Sequence, residues 1–223
     1  MAIGALRHTR IWDLPTRLFH WGLAAAAVGL LVTGKMGGDA MVWHARLGYC
    51  VGTLLLFRLC WGCVGGHWSR FATFAISPRR ALRFLVDPGG EPLAGHNPLG
   101  ALSVYAMLAF LLLQVASGLF SETKEDFAGP LSVLVSNSIV HWLTGYHKNF
   151  GQWVLIWLVA VHIAAIALYA LRGQNLVGPM VNGDKALPPA VTPSRDDAGS
   201  RFRALAILAL SALVIWGLVR LGG

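Results

Sequence analysis

Charge is what this sequence of 223 residues has least of: only 13% of them are Asp, Glu, Lys or Arg, about half of what a water-soluble domain carries. Hydrophobic residues make up 56% and the mean hydropathy is +0.60, so lipid rather than water is the expected solvent for most of the chain. Too few residues remain for a separate soluble domain, and one membrane domain is expected. Acidic residues are scarcer than basic ones, 10 against 18, for a net charge of +8. The basic residues stand between apolar runs, where membrane topology accounts for them. Membrane lipid is therefore the expected surrounding, and nucleic acid is not an expected partner.

Cysteine is nearly absent as well. The three present, Cys50, Cys60 and Cys63, lie inside one apolar run. Cys60 and Cys63 have C-x-x-C spacing, but Val64 follows where covalent haem attachment needs histidine, and no second cysteine pair completes a zinc site. They read as small polarizable side chains of a helix. No cleavable signal peptide is expected, because the basic, interrupted stretch up to Trp21 lacks the usual pattern. No internal repeat or low-complexity tract is visible.

Apolar runs are abundant. Five stand out, at 18–34, 47–66, 99–120, 150–171 and 204–219, each near the roughly 20 residues that cross a bilayer. The fourth is expected to begin a turn or more before residue 150, and the fifth barely reaches across. Asn97-Pro98 suits a helix start, as cap and first residue. Residues 173–202, with Pro188-Pro189, Pro193 and mixed charges, read as polar linker. The expected architecture is an all-α integral membrane helix bundle: a transmembrane domain of four spans over 1–182, a linker over 183–202 and a fifth transmembrane helix over 203–223.

Lys and Arg orient the spans. Leaving out Arg58, which lies within a span, twelve fall at the N-terminus, between runs two and three, and after run four; five (Lys35, Arg46, Lys124, Lys148 and Arg220) fall on the other side. The N-terminus is therefore expected in the cytoplasm and the C-terminus outside.

Ionisable groups at membrane depth are costly and usually functional, which directs attention to the eight histidines,. Run one travels outward, placing His20 near the cytoplasmic face. Runs two and four travel inward, placing His44 and His147 near the outer face. His162 lies about 22 Å deeper than His147, on the same broad side of a regular helix. The four sort into two layers, His44 with His147 outside and His20 with His162 inside. Two facing imidazoles at one depth are what a six-coordinate haem requires, and the layers leave room for two macrocycles. Isolated interfacial or hydrogen-bonded histidines are the alternative. Arg58 falls at the inner layer, where a haem propionate is the acidic group expected to meet it; its alternative is snorkelling to headgroups. Arg46, beside His44, suits the outer haem or a plain interfacial role equally. His8, His67 and His96 fall in basic segments, and His141 just before run four.

These residues carry a resemblance. Trp12-Asp13-Leu14-Pro15-Thr16-Arg17-Leu18-Phe19-His20-Trp21, Trp43-His44-Ala45-Arg46-Leu47-Gly48-Tyr49 and Phe57-Arg58-Leu59-Cys60-Trp61-Gly62 resemble the bacterial cytochrome b561 family, grouped with the cytochrome b subunits of nickel–iron hydrogenases. Gly95-His96-Asn97-Pro98-Leu99-Gly100, Gly129-Pro130-Leu131, Thr144-Gly145-Tyr146-His147 and His162-Ile163-Ala164 continue the match, over residues 11 to about 182. The resemblance implies a four-helix core with two non-covalent haems b, whose ligands fall on His20, His44, His147 and His162. It implies electron transport in a respiratory chain of the bacterial cytoplasmic membrane, between quinone or quinol and a redox partner such as a cytochrome c or a dehydrogenase or hydrogenase subunit. It gives His96 no ligand role, and a helix-capping loop is the preferred reading there. A quinone-linked enzyme acting alone on oxygen or superoxide would need an open haem position, which four matched histidines disfavour. A haem-free transporter would need broken helices with charges at mid-membrane, and few are seen.

Overall fold

Five helices among the described residues are long and apolar enough to cross a membrane. The computed structural model describes residues 6–74, 77–86, 94–123 and 127–222, and of Pro78, Arg80, Leu85 and Val86 the backbone alone. In chain order the elements are β1 (Arg7–Arg10), α1 (Leu14–Met36), α2 (Ala40–Val64), α3 (Pro78–Val86), α4 (Pro98–Leu119), α5 (Asn137–Gly145), α6 (Gln152–Leu171), α7 (Val177–Asn182), β2 (Asp184–Leu187) and α8 (Ala198–Arg220). A π-helical turn, Tyr146–Gly151, joins α5 to α6. The protein is an all-α membrane helical bundle, with one small two-stranded sheet among the described residues. Lys124, counted above on the outer side, lies outside the described residues.

Local chemistry sets where the membrane helices start. The first N–H groups of a helix have no intrahelical acceptor, and a side-chain oxygen three residues upstream supplies one. Asp13 accepts from the Thr16 N–H at 2.8 Å, Asn97 from Gly100 at 2.6 Å and Asp197 from Ser200 at 2.7 Å. The Asn97-Pro98 start stands as expected. The fifth span begins six residues earlier than its apolar run, because its first turns are polar. At 23 residues and about 1.5 Å per residue it is long enough to cross. The fourth helical stretch runs Asn137–Leu171, so His141 lies within it, not before it.

Two compact units share the chain, one of Met1–Leu18, Arg58–Ala106 and Ala160–Leu205, the other of Phe19–Phe57, Met107–Val159 and Ala206–Gly223. In the first, the stretch expected to be plain linker pairs β2 antiparallel to β1, Arg7 opposite Leu187 and Arg10 opposite Asp184. Four-residue strands so far apart in sequence leave no readable periodicity. Ile11 and Leu187, both fully buried, form its core with Trp12. Gly183 turns α7 into β2 at φ 92°, a left-handed conformation that costs glycine nothing, and its carbonyl accepts from the Ile11 and Trp12 N–H groups. Arg10 pairs with Asp184 at 2.8 Å and Asp196 at 3.1 Å, and Arg201 meets Asp196 at 3.0 Å.

Asp13 is the buried hub of this unit. With no exposed surface, its carboxylate accepts from the Thr16 N–H, Trp61 Nε1–H, Gly66 N–H and Ser69 Oγ–H. Removing an acceptor of this kind leaves buried donors unsatisfied at about 1–3 kcal/mol each.

In the second unit, Gly37 and Gly38 reverse the chain between α1 and α2 at φ 66° and 51°. Gly52 of α2 lets neighbours approach: a Cβ there would lie 3.2 Å from Ile215 of α8 and 3.3 Å from Val115 of α4. The C-terminal helix therefore packs against α2 through Ile215, itself buried.

Candidate functional site

His44, near the start of α2, and His147, in the π-helical turn, meet with ring centroids 6.1 Å apart and planes at 86°. Each ring has one nitrogen committed to backbone. His44 Nδ1 lies 3.0 Å from the Leu30 carbonyl oxygen, and His147 Nδ1 lies 2.9 Å from that of Gln114. A carbonyl only accepts, so in both rings Nδ1 carries the hydrogen and Nε2 is left with its lone pair, the tautomer of a metal-ligating histidine.

The spacing suits one metal ion between the rings. Two metal–nitrogen bonds of about 2 Å, with each ring centre about 1.1 Å behind its nitrogen, would set the centroids roughly 6.2 Å apart. Among the described residues no group of three or more His, Cys, Asp or Glu gathers to hold a metal. Two imidazoles alone leave four positions for a macrocycle to fill, as in a bis-histidine haem.

The surroundings hold the rings in place. A Cβ at Gly34 would lie 3.0 Å from His44 Cε1, and one at Gly118 would lie 2.8 Å from His147 Cε1, so each ring rests against bare helix backbone. Gln114 grips His147 twice: its carbonyl takes the Nδ1–H, and its side-chain Nε2 donates to the His147 carbonyl at 2.9 Å. A π-helical turn, an extra-residue turn common at functional sites, carries His147 here. The rotation expected between His147 and His162 of a regular α-helix does not carry across it.

The first unit holds Arg58, 97% buried, its guanidinium 4.6 Å from the Phe71 ring centre. Burial on this scale argues against snorkelling. Nη1 is buried and finds no hydrogen-bond partner among the described residues, leaving a donor suited to a propionate. The expectation that haem would bring the only acidic group to this region needs correcting. Buried Asp13 stands in the electrostatic field of Arg58, and its burial at a helix cap gives no sign of itself in an Asp-Leu-Pro-Thr sequence.

His96 belongs to the same unit, its ring 4.7 Å from Trp12 and 4.4 Å from Phe74. Burial, reinforced by the charges of Arg58 and His162, pushes its pKa down to about 3, so the imidazole is neutral at ordinary pH. Its Nδ1 is buried without a partner among the described residues. The capping is done by Asn97, as expected, and Asn97 also donates to the Tyr169 hydroxyl at 2.7 Å.

The remaining candidates are placed as follows. His162, in α6 and the first unit, lies within electrostatic reach of His96. His20, in α1 and the second unit, stands edge-on to Trp21 at 4.9 Å. Arg46 is exposed, its guanidinium over the Trp43 ring at 5.0 Å, and its assignment to haem rests on sequence position alone. Sequence reasoning missed Thr33, Gly34, Gln114, Ser117 and Gly118. The available signal was Gln114, a lone side-chain amide within the apolar run of α4.

Membrane helices that bring two imidazoles to metal-sharing distance describe a membrane haem protein. The chain belongs to the prokaryotic cytochrome b561 family, whose model matches residues 11–183. A probable Ni/Fe-hydrogenase B-type cytochrome subunit of Azotobacter vinelandii is 26% identical over 211 residues, covering 78% of this chain and 86% of the relative. The same-named protein of Bradyrhizobium diazoefficiens is 24% identical over 213 residues, covering 78% and 85%. A probable Ni/Fe-hydrogenase 1 B-type cytochrome subunit of Escherichia coli K12 is 22% identical over 210 residues, covering 78% and 88%. No solved structure matches the chain. The protein is thus a multi-pass membrane b-type cytochrome, an electron-transfer protein that takes haem b.

Proposed function

We propose that the protein carries electrons between the membrane quinone pool and a redox partner protein in a respiratory chain, through two haems b. His44 with His147 would hold one of them and His20 with His162 the other. The observation that supports this most is the His44–His147 pair, its Nδ1 hydrogens both held by carbonyls. The second pair rests on depth read from helical rise. Arg58 supports it, as a buried donor in want of an anion. Haem held there would supply one-electron redox chemistry. The chain's own part is to fix ligand tautomer and orientation, exclude water and balance propionate charge. The relatives' names, which tie them to Ni/Fe-hydrogenases, support a hydrogenase-type subunit as the partner.

The purified protein should show a b-type reduced-minus-oxidised spectrum with two haems per chain, all extracted by acid-acetone. A ratio near one, or a residue of haem resistant to extraction, would defeat the di-haem reading.

The proposed location is the bacterial cytoplasmic membrane, N-terminus inside, which the Lys and Arg bias supports. With five spans the C-terminus should be periplasmic. Reporter fusions at the two ends should give opposite signals, and a cytoplasmic C-terminus would show that α8 does not cross.

A further inference from the structure

The two rings of the His44–His147 pair are held by the same three-residue device on different helices. On α1 it is the carbonyl of Leu30, the hydroxyl of Thr33 three residues on, and Gly34 next to it. On α4 it is the carbonyl of Gln114, the hydroxyl of Ser117 three residues on, and Gly118. His44 Nδ1 lies 3.0 Å from the Leu30 carbonyl and 3.3 Å from Thr33 Oγ1. His147 Nδ1 lies 2.9 Å from the Gln114 carbonyl and 3.3 Å from Ser117 Oγ. Both distances recur to within 0.1 Å or better, and in both places glycine removes the side chain that would keep the ring away.

The direction of these bonds follows from the hydroxyls' other contacts. Thr33 Oγ1 donates its hydrogen to the Gly29 carbonyl at 2.7 Å, and Ser117 Oγ donates to the Gln114 carbonyl at 3.0 Å. A hydroxyl has one hydrogen and two lone pairs. With the hydrogen given to the helix, each oxygen faces Nδ1–H as an acceptor, and the imidazole hydrogen is shared between a carbonyl and a hydroxyl.

We propose that Thr33 and Ser117 are positioning residues that set the reduction potential of the centre carried by His44 and His147. The inference rests on the reading of those histidines as the axial pair of one haem. Accepting from Nδ1–H makes the imidazole a stronger donor through Nε2. A stronger donor favours the ferric state, which carries one positive charge more than the ferrous. Each hydroxyl therefore lowers the midpoint, and its loss raises it. The carbonyl acceptor stays in place in either case, so the ligand keeps its tautomer and its haem.

The test is a spectroscopic redox titration of the full-length protein with Thr33→Val, Ser117→Ala and the two combined. Each single change should shift the ferrous-to-ferric ratio at fixed potential about three- to tenfold toward ferrous, an upward move of about 30 to 60 mV for a one-electron couple. The two should add, since they act on different ligands, and the other haem component should not move. Thr33→Ser and Ser117→Thr, which keep the hydroxyl, should stay at the parent midpoint. Where Thr33→Val cannot be purified, Thr33→Ala carries the same expectation. Variants with full haem content and unmoved midpoints would overturn the proposal, leaving the hydroxyls as helix-bonded groups only. A parent protein without a haem lost on changing His44 would instead overturn the ligand reading beneath it.

Discussion

Replacing His44 or His147 by alanine should halve the haem content, from about two per chain to about one, and remove the same redox component in both variants. The combined variant should look like either single one, because a haem that needs two axial imidazoles is lost with the first. The ground for this is that both rings present the same tautomer, each Nδ1–H given to a carbonyl at 3.0 Å or less, at a centroid spacing of 6.1 Å. Even an intact ligand that loses its supporting hydrogen bond gives up about 10- to 100-fold in metal affinity, and losing the ligand costs more. His20→Ala and His162→Ala should remove the other component. Haem-to-protein ratio and a potentiometric titration of the four variants would decide it. If His44→Ala and His162→Ala lost the same component, the pairing by depth would be wrong.

Spans and ligand candidates were legible in the sequence because membranes impose rules that act on single residues. A charged or polar side chain in lipid is expensive wherever it stands, so His44, His147, His162 and Arg58 announce themselves without any knowledge of their neighbours. Helix starts were legible at Asn97-Pro98 for a similar reason, since capping is local chemistry. What stayed hidden depends on pairings between distant segments. The strand β2 is four residues long and becomes a strand only opposite Arg7–Arg10. The π-helical turn at Tyr146–Gly151 obscured the start of the fourth span, because Lys148 and Asn149 interrupt its apolar run. Thr33-Gly34 and Ser117-Gly118 look like ordinary small residues of membrane helices until the rings that rest on them are placed. Asp13 caps α1, and three further donors reach it from Trp61, Gly66 and Ser69, none of them adjacent in sequence.

Asp13 alters what should follow from changing Arg58. A buried guanidinium needs compensation, and Asp13 supplies part of it through the field between them. Its carboxylate is already shared among four donors, however, and Arg58 Nη1 has no hydrogen-bond partner among the described residues. We therefore expect that nitrogen to take a propionate of the haem assigned to His20 and His162. Its positive charge favours the ferrous state of that haem, which carries one negative charge more than the ferric. Arg58→Leu should lower that haem's midpoint by at least a tenfold change in the ferrous-to-ferric ratio, about 59 mV for one electron, or lose the haem, while the His44–His147 component stays in place. Arg58→Lys keeps the charge without the two-pronged geometry and should fall between. Leucine also strips Asp13 of a compensating charge, so part of any loss could be a failure to fold. Haem content and protein yield, read beside the midpoint, separate the two effects: a variant that keeps its haem and its yield but moves its midpoint has lost the charge and not the fold. A redox titration of these proteins in one detergent makes the comparison. Unchanged midpoints in Arg58→Leu would remove the propionate contact altogether.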